Sequence, residues 1–360
     1  MQRSRRLLAA LACALGACAP PAHQPAIDLA TPTTPTAADF SSESTLAMRM
    51  PDLQRAWDAG EDGFFEGVQG VRVHYRIVRA TTPTELGAVV VLPGRTEPAQ
   101  KYVEVATDLV RQGYSAYVLD HRGQGASGRM TANPQQGHVE FFRDYVDDLE
   151  TFLTRIVRRD PHAKVFVLAH SMGGAVAALH MNLHPGGFDA AVLTAPMLEV
   201  ATGAFPAIIS ASLGETACGT TSGSGYAIGQ QDYVEETTVA TSDVTHSTAR
   251  WQNQIDMLRA NTALRLGGVT WRWLCESLSG ADRASRVGAA STTPTLLFQA
   301  GADDVVNPGG QVRYCTAAPR CQLVVVPGAF HEILMERDEL RNGEITQIVR
   351  FFNHFAMGGT

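Results

Sequence analysis

From residue 63 onward the chain alternates short apolar runs with longer stretches whose apolar residues recur at helical spacing. Residues 71–78, VRVHYRIV, alternate apolar and polar side chains, which predicts a strand with one face buried. Residues 86–94, LGAVVVLPG, stay apolar until Pro-Gly, the pattern of a parallel strand covered on both faces. The segment 98–113, PAQKYVEVATDLVRQG, begins with Pro and finishes with Gly, as helices do. Strands are expected next over 114–120, 164–169 and 188–196, with helices over 139–159 and after Ser171.

Residues 197–290 break this rhythm. They hold short helical pieces, the Gly/Ser/Thr-rich stretch GTTSGSGYAIG, and three of the four tryptophans, Trp251, Trp271 and Trp273. The alternation resumes with a strand over 293–301, a helix from about Pro308, a strand over 322–328 and a last helix over 337–356. Such alternation calls for a mostly parallel sheet with helices on both faces. The expected fold class is therefore α/β, one domain over 51–360 with an inserted helical cap at about 197–290. The sequence shows no internal repeat.

Composition narrows the partners. Of 360 residues 45% are hydrophobic, enough for a large core, and the formal net charge is −7. Lys and Arg form no run beyond the first six residues, so no nucleic-acid partner is expected. Those six open MQRSRRLLAALACALGAC, in which three arginines precede an apolar stretch too short to span a bilayer, the layout of a secretion signal. Its end, LGAC, resembles a bacterial lipoprotein signal. That resemblance implies cleavage after residue 17, lipid on the Cys18 thiol, and a protein held at the periplasmic face of a membrane, the outer membrane being favoured. An ordinary signal peptide that happens to contain a cysteine is the alternative. Residues 18–50, rich in Pro, Thr, Ala and Ser, read as a disordered tether reaching roughly 30 Å. Four cysteines follow, and an even number in an exported chain suggests disulfides: Cys315–Cys321 and Cys218–Cys275 among the possible pairings, with buried free thiols as the alternative. Neither C-x-x-C nor H-E-x-x-H occurs, so no metal site is expected.

The candidate chemistry lies in KVFVLAHSMGGAVAALH, residues 164–180, where a strand-like run meets a helix-like one with Ser171 at the corner. A sharp turn there exposes the hydroxyl to substrate; the alternative is that Gly173 and Gly174 merely let a helix lie close to the sheet. Serine is a poor nucleophile until a base takes its proton and an acid orients that base. Of 11 histidines, His331 in VVVPGAFHEIL lies just past a late strand, and Asp303 and Asp304 in LLFQAGADDVV lie just past the strand before it. The order Ser171, Asp303, His331 is that of the hydrolase triad on an α/β sheet, with Asp304 as the alternative acid. His170 reads as a packing residue and Asp120 as a holder of its own loop. Gly123, Gly125 and Gly128 spell G-x-G-x-x-G, but Asn-Pro and Gly follow where a dinucleotide-binding helix would have to run. These glycines are expected to shape a loop beside the site.

On VLDHRGQGASGR (118–129), GHVEFFRDYVDDLETF (137–152), AHSMGG (169–174), TWRWLCESL (270–278), GADDVV (301–306) and FHEILMERD (330–338), the chain resembles an α/β hydrolase of the bacterial lysophospholipase and monoacylglycerol lipase branch. The resemblance implies an α/β-hydrolase fold with Ser171 as nucleophile, Asp303 as acid and His331 as base. It implies a serine carboxylic-ester hydrolase for single-chain lipids, lysophospholipid or monoacylglycerol, working without metal or organic cofactor. Backbone N–H groups of Arg95 and Met172 are the expected oxyanion donors. Two positions depart from the family's pattern: Ala169 stands where glycine is usual, and Pro93 where a histidine is. A short-chain carboxylesterase and a non-catalytic lipid-carrying lipoprotein are the rival readings. The cap, with its tryptophans and the apolar face of 254–266, would supply the substrate pocket.

Overall fold

The computed structural model describes residues 35–201 and 223–359. Eight strands make one sheet: β1 (Glu61–Glu66), β2 (Arg72–Val78), β3 (Gly87–Leu92), β4 (Tyr114–Leu119), β5 (Val165–His170), β6 (Ala190–Thr194), β7 (Thr295–Ala300) and β8 (Cys321–Val326). Their spatial order is β1-β2-β4-β3-β5-β6-β7-β8. β2 runs antiparallel to β1 and β4, and every other neighbouring pair is parallel.

Eight α-helices lie among the described residues: α1 (Glu43–Asp58), α2 (Val103–Arg111), α3 (Arg143–Arg155), α4 (Met172–Leu183), α5 (Thr248–Ala260), α6 (Trp271–Arg286), α7 (Pro308–Ala317) and α8 (Asp338–Ala356). The strand period of two divides the core between them. In β3 every residue is buried; Val90 and Leu92 join Leu149 of α3, Val176 of α4 and Leu274 of α6, whereas Val89 and Val91 join Leu109 of α2 and Phe352 of α8. A strand sandwiched in this way has no polar face, which is why its sequence is apolar throughout.

Two expected boundaries shift. The tether does not extend to residue 50: α1 starts at Glu43, and Phe40, Leu46, Leu53 and Trp57 are buried in the second core. Leu46, Leu53 and Trp57 fall on one helical face, a pattern that the serines of SSES and Pro51 obscure. The start of α1 is also tied down by polar contacts, the Ser41 hydroxyl donating to Asp108 (2.8 Å) and the Ser42 hydroxyl to Asp338 (2.7 Å). Residues 18–34, Cys18 among them, lie outside the described residues. The cap, in turn, does not extend to 290. α6 belongs to the layer covering the sheet, because Trp273, Leu274, Ala281 and Ala284 recur on the face turned to the first core. α5 leans on α1, with its Ala249 packed against the second core.

Cys315 and Cys321 form the expected disulfide, with Cα atoms 5.1 Å apart, and link the end of α7 to the start of β8. Cys218, the expected partner of Cys275, lies outside the described residues. Register decides where the chemistry goes. Leu92 pairs with Ala169, His170 with Thr194, Thr194 with Phe298 and Ala300 with Val326. The carboxyl ends of β3, β5, β6, β7 and β8 therefore share one edge, and the turns that follow them meet there.

Candidate active site

Ser171 occupies the corner between β5 and α4 with φ 49° and ψ −116°, a left-handed conformation that costs a non-glycine residue about 1–3 kcal/mol and persists only where its surroundings hold it. Here they do. Its N–H donates to the Thr194 carbonyl at 3.1 Å, and its own carbonyl accepts from the N–H groups of Gly174 and Met197 at 2.9 and 2.8 Å. The two glycines after it are explained by crowding. A Cβ on Gly173 would lie 2.6 Å from the Pro93 carbonyl oxygen and closer still to that of Leu92; one on Gly174 would lie 2.5 Å from the Pro196 ring. The packing reading and the exposed-hydroxyl reading are thus one feature, since close packing is what makes the corner sharp. Ala169, fully buried, fits where a glycine is usual.

The three expected side chains meet at the sheet edge. His331, in the turn after β8, has Nε2 2.8 Å from Ser171 Oγ and Nδ1 2.8 Å from Asp303 Oδ2. The other Asp303 oxygen accepts from the N–H groups of Val305 (2.8 Å) and Val306 (3.0 Å). Burial pushes the Asp303 carboxyl up, but the hydrogen bond and charge of His331 with those two N–H donors hold it below its ordinary value. An ionised Asp303 draws the proton to Nδ1, which leaves the Nε2 lone pair facing the serine hydroxyl. Asp304, by contrast, is exposed. His170 packs its ring 4.8 Å from that of His331 and donates from Nδ1 to the Thr194 carbonyl at 3.0 Å. Burial lowers its pKa to about 4, so it brings no charge to the triad near neutral pH.

The turn after β3, Pro93–Glu97, lies against Ser171: a Cβ on Gly94 would come 3.2 Å from Ser171 Cβ. The backbone N–H groups of Arg95 and Met172, the expected oxyanion donors, hydrogen-bond to nothing else among the described residues. The Gly94 N–H is otherwise engaged, donating to Glu97 Oε2 at 2.6 Å. Glu97 also accepts from Tyr102 (2.7 Å) and pairs with Lys101 (2.6 Å), whose ammonium reaches on to Glu332 at 2.5 Å, the residue after the triad histidine. All three charges are buried. Burial works against the Glu97 charge, but Lys101 and then His170 outweigh it and hold this carboxyl well below the usual range. Burial pushes Glu332 up to about 7 despite Lys101. One ammonium thus ties the turn after β3 to the turn after β8.

The glycine-rich loop is the outer brace, as its sequence suggested. Gln124 donates to the carbonyls of Gly94 (2.7 Å) and Glu97 (3.1 Å). Gly123 and Gly125 have φ of 80° and 55°, and a Cβ on Gly125 would strike the Asp120 carboxylate. Asp120 holds more than its own loop, accepting from the N–H groups of Ala126 (2.9 Å) and Ala99 (2.6 Å) and contacting His74 at 2.7 Å. A cavity of about 320 Å³ adjoins Arg95 and Thr96 and is lined further by Tyr233, Ile255, Leu258 and Leu266.

Comparison with known proteins places this geometry in a family. The sequence pattern of the Hydrolase_4 family, described as serine aminopeptidase, S33, matches residues 83–338. The chain belongs to this family of serine hydrolases. Lysophospholipase L2 of Escherichia coli K12 is 37% identical over 314 residues, covering 85% of this chain and 92% of that protein. Monoacylglycerol lipase of Mycolicibacterium smegmatis is 28% identical over 280 residues, covering 76% and 91%. Among solved structures, a soluble variant of monoglyceride lipase from Saccharomyces cerevisiae superposes with a TM-score of 0.64 at 17% identity, over 81% of this chain and 94% of that one, a likeness of fold. The fold is that of the α/β hydrolases, and the chain is an enzyme.

Within the family frame, sequence reading missed Glu97, Lys101 and Glu332. Isolated charged letters in a sequence look like solvated surface. What betrays these three is position: Glu97 and Glu332 sit in turns that already carried a candidate, and Lys101 stands four residues past Glu97.

Proposed function

We propose that this hydrolase cleaves the acyl ester of single-chain lipids, with Ser171, His331 and Asp303 as its catalytic residues. The observation that carries the proposal is the unbroken hydrogen-bond chain from the Ser171 hydroxyl through His331 to Asp303 at the mouth of the sheet. In the reaction, Ser171 Oγ adds to the ester carbonyl as its proton passes to His331 Nε2, and Asp303 stabilises the resulting imidazolium. Negative charge develops on the carbonyl oxygen and is taken up by the N–H groups of Arg95 and Met172. The tetrahedral species collapses, the alcohol leaves with the proton held by His331, and the acyl group stays on Ser171. Water, deprotonated by His331, then releases the fatty acid and restores the serine.

The apolar members of the cavity beside Arg95 support an acyl chain as the bound group, each buried methylene contributing about 0.8 kcal/mol. Arg95 favours a lysophospholipid over a monoacylglycerol. Its guanidinium donates to the Gly267 carbonyl (3.0 Å), stacks over the Trp273 ring at 5.5 Å and has no carboxylate partner among the described residues. Burial lowers its pKa to about 10, which leaves it cationic at neutral pH and matched to a phosphodiester. The substrate named for the E. coli relative agrees with this choice. A lipid on Cys18 would keep the enzyme beside such substrates at the periplasmic face of a membrane.

A fluorophosphonate probe tests the nucleophile: wild type is labelled and Ser171→Ala is not, and equal labelling overturns the assignment. Rates on lysophosphatidylcholine, monoolein and p-nitrophenyl esters of rising chain length test the substrate, and activity confined to acetate and butyrate esters overturns the lipid reading. A Cys18→Ser variant that still partitions with membranes overturns the anchor.

A further inference from the structure

At the far end of α4 from Ser171 lies a second group of chemically capable side chains. His180 and His184 are four residues apart, so their rings leave one face of the helix, and they stack with centroids 4.7 Å apart and planes at 21°. Glu150 of α3 reaches this pair. Its Oε2 is 2.8 Å from His180 Nε2 and 3.6 Å from His184 Nδ1, and the three donor atoms all lie within 4.8 Å of one another. Ligands at about 2.0–2.1 Å around a tetrahedral ion stand roughly 3.3 Å apart, a spacing that the two measured distances bracket. The His180 side chain is fully buried, while those of Glu150 and His184 are 29% and 34% exposed. The cluster is therefore anchored on its inner side and reachable from solvent on its outer side. His180 Nδ1 and His184 Nε2 are buried without a hydrogen-bond partner among the described residues. Arg158, a neighbouring cation, donates to the Gly187 carbonyl at 3.1 Å.

We propose that Glu150, His180 and His184 bind a late first-row divalent cation, Zn²⁺ in particular, with water completing the coordination. Two imidazoles and one carboxylate suit zinc, whereas Mg²⁺ and Ca²⁺ take oxygen ligands. With the acid on one helix and the histidines on another, no contiguous motif announces the site. His180 stands nine residues along α4 from Ser171, about 14 Å at 1.5 Å per residue, beyond reach of the reacting ester. The ion's role is a clip between α3 and α4, holding from behind the helix whose first turn forms the serine corner.

Untagged full-length protein, stripped with EDTA, is titrated with ZnCl₂ by calorimetry beside His184→Ala and Glu150→Gln, both part-exposed positions, with thermal melting recorded for each. Wild type is expected to bind one equivalent and to melt several degrees higher with zinc. His184→Ala loses both effects, and Glu150→Gln binds weaker by more than the roughly 10–100-fold that loss of an outer-shell partner costs. Hydrolysis of a p-nitrophenyl ester at a temperature well below melting is the same with EDTA as with zinc. The proposal is overturned if wild type takes up no zinc, or if both variants bind it as tightly as wild type does.

Discussion

Asp303 and Asp304 stand side by side in one turn, and only the first faces an imidazole. Asp303 is held at both oxygens, one on His331 Nδ1 and one on two backbone N–H groups, while Asp304 points to solvent. Replacing Asp303 with Asn presents an amide where the imidazole needs an acceptor and favours the wrong tautomer. D303N is expected to lower kcat by about 10⁴, the loss seen for the analogous change in a protease triad, and D304N to stay within about twofold. Steady-state rates on a p-nitrophenyl ester decide between them. Gly173 offers a second residue-level test. A methyl group there meets the carbonyl oxygens of Leu92 and Pro93, and backbone cannot swing aside as a side chain can. G173A is expected to destabilise the fold by about 1–3 kcal/mol in urea denaturation and to lose fluorophosphonate labelling with it.

Turns, more than strands, set the positions of the reacting atoms, and the buried Glu97–Lys101–Glu332 cluster locks two of them together. Glu97→Gln keeps the size of the side chain but removes the charge that holds the Gly94 N–H and Lys101. The expected result is a fall in kcat of roughly 10–100-fold, less than outright loss of an oxyanion donor, with a smaller change in KM. Glu332 carries a pH signature of opposite sign to the usual carboxylate. Its pKa of about 7 in the folded protein lies above the ordinary 4.5, so between these values the folded state holds a proton that the unfolded chain has released. That stabilisation is fully present below about 4.5 and disappears as pH rises through about 7. Glu332→Gln, which cannot ionise, is expected to gain on wild type between pH 5 and 8 by on the order of 1–3 kcal/mol. Parallel denaturation curves for the two proteins across that range would refute it.

For the molecule as a whole, the parallel strands were legible because burial on both faces leaves unbroken apolar runs such as VVVL in β3. β1, EDGFFE, escaped because it is an edge strand in which Phe65 alone is buried. α1 escaped because its buried residues lie far apart among polar ones, and α6 was taken for cap because sequence does not say which surface an amphipathic face meets. The Ser171–His331–Asp303 grouping was legible because three chemically distinct residues had to follow particular strands in a particular order. The buried ion cluster was not, since pairing between residues 97 and 332 is a fact of folding and not of spacing. The disulfide closes only a short loop, with a sequence separation of 6, so replacing both Cys315 and Cys321 with Ser is expected to cost about 2 kcal/mol in unfolding free energy and to leave the catalytic rate near wild type.

The side chains proposed to break the ester follow β5, β7 and β8, whereas the wall of the adjoining cavity comes mostly from the stretch between residues 229 and 268. Reactivity and choice of ester are thereby inherited separately. A graft that exchanges this stretch for another chain's can redraw the menu of molecules admitted while the hydroxyl, imidazole and carboxylate keep their spacing. Its exacting seams are the Gly267 carbonyl, on which Arg95 rests, the Val244 carbonyl, which accepts from the Glu332 N–H at 2.9 Å, and buried Arg250, which pairs with Glu104 and Asp338.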